Sequence, residues 1–137
     1  MYKTIMIPVD LEHQDQLGKA LATGADLAKH YKAELYVVGV TGTAPGRVAH
    51  NPAEYEQELA AFAAEQSAEQ GTEIKAKAMT SNDPAVDLDD TLEQAASEIN
   101  ADLVVMASHI PGFADYIFAP RAGYLASHSS LSVFVVR

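Results

Sequence analysis

The chain has 137 residues, 48% of them apolar, which is enough for one compact domain with its own core and excludes a disordered chain. Nineteen acids against nine bases give a formal net charge of −10, a surface that repels nucleic-acid phosphates and anionic membranes. There is no cysteine, which excludes disulfides, thiolate metal sites and cysteine nucleophiles. No apolar run approaches the roughly 20 residues needed to span a bilayer, so membrane insertion is not expected. The opening MYKTIMIPVD has neither a long apolar stretch nor a small-residue cleavage site, and a cytoplasmic location is the expectation.

Tyr2 to Val9 is rich in apolar and β-branched residues and reads as strand 1, followed by Asp10. From Gln14 to Tyr31 apolar residues recur at helical spacing, as Leu17, Ala20, Leu21, Gly24, Ala25, Ala28 and Tyr31. Glu34 to Val40 is apolar nearly throughout, as strands covered on both faces are. A loop, TGTAPGRVAH, leads to Asn51-Pro52, a helix cap followed by a proline at the first helical position. That helix runs to Gln70, with Tyr55, Leu59 and Phe62 on one stripe, and Gly71 stops it. Glu73 to Thr80 alternates apolar and polar residues and is expected near a sheet edge. SNDPAVDLDD is a loop that becomes a helix over Leu88 to Ile99. Ala101 to Ser108 is the fourth strand, Arg121 to His128 the last helix, and Leu131 to Val136 the fifth strand.

This β-α alternation implies a three-layer α/β/α domain over residues 1–137, with a five-stranded, mostly parallel open sheet and right-handed crossovers. No linker, repeat or low-complexity stretch divides it. Ligands in such Rossmann-like sheets bind beyond the carboxyl ends of the strands, where strand order reverses. Here those ends are Pro8-Val9-Asp10, Val40-Thr41 and Met106-Ala107-Ser108-His109.

The start YKTIMIPVD, the strand DLVVMAS leading into a loop, and the ending LSVFVVR resemble the universal stress protein family over the whole chain. The ASH after strand 4, the proline two residues later and the terminal VVR are similar to its short UspF/UspG-like bacterial branch. The resemblance implies an adenine nucleotide alpha hydrolase-like fold and an ATP or AMP site. Pro8, Val9, Asp10 and Val40 match the family's adenine and ribose positions. Met106, Ala107, Ser108, His109, Arg121 and Ala122 fall on the phosphate side. Nucleotide-binding members carry G-x2-G-x9-G-[ST] after strand 4, with the spacing one shorter in the UspF-like branch. In this chain the first glycine matches Ala107 and the second Ile110. The closing pair falls on Ala119-Pro120 or Pro120-Arg121, so the motif's glycines are not kept in register. Proline has no N–H to donate to a phosphate, whereas the Arg121 guanidinium can pair with one; Arg121 equally suits solvent or a neighbouring acid. Asp10 suits either a ribose or ring-nitrogen contact or the capping of the next segment.

The remaining chemistry-bearing residues have plain roles. His13, His30, His50, His109 and His128 have no HxH or HExxH spacing, and no metal site is expected. Of these, His109 is best placed to touch a ligand. Ser127-His128-Ser129-Ser130 lacks a nucleophile elbow and reads as a turn. Asp87, Asp89 and Asp90 suit the capping of a helix start. No nucleophile, base and oxyanion set can be assembled, and Asp115 is the one carboxylate beside the loop that could hold a metal for ATP hydrolysis, so no enzyme is expected. The expectation is a stress-response regulator that binds ATP or AMP weakly. The alternative is a nucleotide-free interaction protein that keeps the fold. Either is expected to be a homodimer through Val133, Phe134 and Val135, because the last strand is apolar and its edge is uncovered; relatives pair this strand with its twin.

Overall fold

A computed structural model describes residues 1–107, 123–127 and 129–137. It contains one five-stranded sheet of order β3-β2-β1-β4-β5, parallel throughout. The strands are β1 (Thr4–Val9), β2 (Glu34–Thr41), β3 (Ile74–Thr80), β4 (Leu103–Ala107) and β5 (Ser132–Val136). The helices are α1 (Gly18–Tyr31), α2 (Pro52–Gln70) and α3 (Pro84–Ile99), with a further helical segment over 123–127. Right-handed crossovers put α1 and α2, which touch each other, on one face and α3 on the other.

β1 is central and all six of its residues are buried, which explains its continuous apolar run. Leu35, Val37 and Val38 of β2 and Leu103 to Met106 of β4 extend the same core. The two outer edges differ. β3 carries Lys75 and Lys77, which reach Glu34 at 2.7 Å and Glu98 at 3.5 Å. Charged side chains of this kind blunt a free sheet edge. On β5, Phe134 is 45% and Val135 44% exposed, so that edge is apolar and open.

Local chemistry sets the helix ends. Asn51 is extended, its Oδ1 accepts the Glu54 N–H at 2.8 Å, and Pro52 follows at the first helical position. Gly71 closes α2 at φ 69°, in the left-handed region where glycine carries no Cβ penalty. The structure differs from the sequence reading at several element ends. Tyr2 and Lys3 lie outside β1. Gln14 to Gln16, read as the start of the first helix, belong to a separate 3-10 segment over Leu11–Gln16, because the Asp10 carboxylate takes the Glu12 N–H and His13 leaves helical geometry at φ −128°, ψ 44°. α3 begins at Pro84, four residues before Leu88, because Asp83-Pro84 supplies a cap position and a proline start. Asp87 therefore lies in its first turn, while Asp89 and Asp90 lie beyond it. Of the last helix, 123–127 are helical as expected, while Arg121 and His128 lie outside the described residues.

The amino end of the sheet is held by Asp102. Its carboxylate accepts the Lys3 N–H at 2.9 Å and the Thr4 N–H at 3.1 Å. Its own N–H donates to the Thr4 carbonyl at 3.0 Å, and its carbonyl accepts the Ser132 N–H at 3.1 Å. One residue thus joins β1, β4 and β5. Asp102→Ala is expected to lower unfolding free energy by roughly 1.5–3 kcal/mol, the scale of hydrogen bonds to a charged group. Urea unfolding measures this; a loss below about 0.5 kcal/mol would show that the clamp contributes little.

Candidate ligand cavity at the carboxyl ends of β1 and β2

The sheet opens at its opposite end. β1 pairs with β4 at Ile5–Leu103 and Met6–Val104, and the pairing stops before Pro8, which has no N–H to offer a ladder. β1 stays paired with β2 as far as Val9–Gly39. The strand order reverses between β1 and β4, so this opening is the topological switch point where α/β sheets take ligands.

A cavity of about 400 Å³ lies there. Its floor is the end of β1 (Pro8, Val9, Asp10) and of β2 (Val38, Val40, Thr41). One wall is the loop after β2, with Arg47, Val48 and Ala49; another is the start of α3, with Asp83, Pro84, Leu88 and Leu92. Tyr55 of α2 closes a third side. Ser81 fixes the α3 wall: its N–H donates to the Thr41 carbonyl at 2.9 Å, and its Oγ accepts the Asp83 N–H at 3.2 Å. The same Oγ donates to the Asp87 carboxylate at 3.4 Å. Apolar walls with a few polar groups suit a small organic ligand.

Pro8, Val9, Asp10 and Val40 all line this cavity. Met106 and Ala107 are buried in β4 and do not line it. Ser108, His109, Arg121 and Ala122, with Ile110 and Ala119-Pro120 of the motif region and Asp115, lie outside the described residues. Asp10 acts as a cap: Oδ1 accepts the Glu12 N–H at 3.0 Å, and Oδ2 lies 2.9 Å from His13 Nδ1. The turn brings donor atoms of Asp10, Glu12 and His13 within 4.8 Å of one another, a grouping that sequence spacing did not reveal. Because Asp10 is committed to Glu12 and His13, this set reads as a capping network.

Arg47 and Tyr55 are lining residues that the sequence reading did not single out. Arg47 is the one basic group among the described lining residues, against the carboxylates of Asp10, Glu12 and Asp83. A lone arginine in the loop just after a strand was the available signal. Tyr55 was read as part of the apolar stripe with Leu59 and Phe62, and all three are indeed buried. Its ring lies over Gly39, where a Cβ would run into the hydroxyl. Burial, and next the Asp10 carboxylate, push the Tyr55 phenol well above its ordinary pKa, so it keeps its proton.

The profile of the universal stress protein family matches residues 1–137. Three solved structures are similar across the chain. A universal stress protein in complex with cAMP matches with TM-score 0.69 and 18% identity, over 99% of this chain and 97% of that one. The Archaeoglobus fulgidus universal stress protein in complex with dAMP matches with TM-score 0.63 and 19% identity, over 99% and 98%. A universal stress protein family protein from Arabidopsis thaliana with AMP bound matches with TM-score 0.61 and 12% identity, over 98% and 90%. With the family profile spanning every residue, the five parallel strands and the opening at their switch point belong to a member of the universal stress protein family.

Proposed function

We propose that this chain is a cytoplasmic stress-response regulator that binds an adenine nucleotide weakly and acts by association, without turnover. The observation that carries the reading is the cavity of about 400 Å³ at the ends of β1 and β2, lined by Pro8, Val9, Asp10 and Val40. Its size is within the range of small-molecule sites. Solved relatives named with cAMP, dAMP and AMP support the ligand class. In this reading the adenine lies over Pro8, Val9, Asp10 and Val40, and the phosphates point towards residues 108–122. Pro120 supplies no N–H to them, which weakens the cradle, and Arg121 supplies a charge.

Calorimetric titration of ATP and AMP into wild type, Arg121→Ala and Pro120→Gly tests this. Wild type is expected to bind, and Arg121→Ala to lose about tenfold in affinity, the scale of one charge-assisted hydrogen bond. No heat from wild type at millimolar nucleotide would reject the reading. Binding gained only in Pro120→Gly would favour the second reading, a nucleotide-free interaction protein, which the missing motif glycines support.

Association is proposed through β5. The β3 edge is guarded by Lys75 and Lys77, whereas β5 offers Val133, Phe134 and Val135 with the last two nearly half exposed. An isologous contact between two β5 edges buries these side chains against their own copies. Light scattering at micromolar concentration is expected to give the mass of a dimer. Val135→Lys is expected to shift it towards monomer while circular dichroism stays that of the wild type. A monomeric wild type would overturn the proposal.

A further inference from the structure

The Tyr55 side chain is 95% buried by its 5% residual exposure, and it lines the cavity. Its hydroxyl end lies over Gly39, between the lining residues Val38 and Val40. None of the described residues hydrogen-bonds that hydroxyl. The oxygen is not among the fully buried unpaired atoms of the described residues, so it reaches the open space of the cavity, and an apolar stripe with Leu59 and Phe62 would be served as well by phenylalanine. The chain nevertheless keeps the oxygen and keeps residue 39 free of the Cβ that would displace it. A polar group held in this way has its partner in the cavity.

We infer that the Tyr55 hydroxyl is a specificity-determining contact, donating a hydrogen bond to an unprotonated ring nitrogen of the bound base. This rests on the adenine-nucleotide reading of the cavity and deepens it. The direction of the bond follows from the surroundings. Burial, and next the neighbouring Asp10 carboxylate, oppose a phenolate, so the group stays a donor near neutral pH. Adenine presents unprotonated nitrogens at N1, N3 and N7 and so offers acceptors to such a donor. The apolar neighbours Val38 and Val40 supply the surface on which the ring lies.

The test pairs a variant with a ligand series. AMP and its 1-deaza, 3-deaza and 7-deaza analogues, each with one ring nitrogen replaced by C–H, are titrated into wild type and Tyr55→Phe. Wild type is expected to lose about five- to tenfold in affinity for one analogue, the worth of a single hydrogen bond. Tyr55→Phe is expected to bind AMP weaker by the same factor and to show no further loss with that analogue. Ligand-free Tyr55→Phe is expected to melt near the wild-type temperature, because no described residue loses a hydrogen bond; a structural role would lower the melting point instead. Gly39→Ala, which pushes the ring aside, is expected to lose AMP affinity with the phenol chemically intact. If wild type binds AMP and Tyr55→Phe binds it equally, this inference falls while the nucleotide reading stands. If wild type binds no adenine nucleotide, both fall.

Discussion

Pro8 sits in the central strand of the sheet and has no amide hydrogen, and the rest of the architecture is arranged around that. The six residues of β1 are all buried, so the strand must be covered on both faces and flanked on both sides. The flank towards β2 is complete as far as Val9, but the flank towards β4 ends at Met6. At the other end Asp102 ties β1, β4 and β5 together through four backbone contacts. The sheet is therefore clamped at its amino edge and parted at its carboxyl edge. The parting coincides with the point where chain order reverses, and the cavity forms beside it.

Much of this was legible in the sequence, and the parts that were not have identifiable causes. Each strand was readable to within two residues, because buried parallel strands are written as near-continuous apolar runs. α2 was readable at both ends because Asn51-Pro52 and Gly71 are strong local signals. The same kind of signal stood at Asp83-Pro84, but the acidic run after it drew the start of α3 to Leu88, too late by one turn. The 3-10 segment was hidden for a different reason. Leu11 and Leu17 are both buried, and a spacing of apolar residues does not distinguish one kind of helical turn from another; the bond from Glu12 to Asp10 decides it.

The candidate site divides along the same line. Pro8, Val9, Asp10 and Val40 were legible because strand ends are legible. Tyr55 was not, because its position in the α2 stripe fully explains an aromatic residue, and only the third dimension shows its hydroxyl over Gly39. Arg47 was not, because a loop of that length fixes no direction until α3 is packed against it. Ser108 to Ala122 lie outside the described residues, and it is there that the chain departs from the glycine pattern of nucleotide-binding members.

The unequal ladders around β4 link the cavity to the sheet edge. β4 pairs with β5 over five positions, from Leu103–Ser132 to Ala107–Val136, and with β1 over two. β4 is thus bound more extensively to the edge strand than to the centre of the sheet. The cavity belongs to the β1 and β2 side of the parting, and the apolar edge at Phe134 and Val135 to the β4 and β5 side. A ligand that reached from Pro8 and Val40 to the segment after β4 would cross the parting and add a tie where the ladder supplies none.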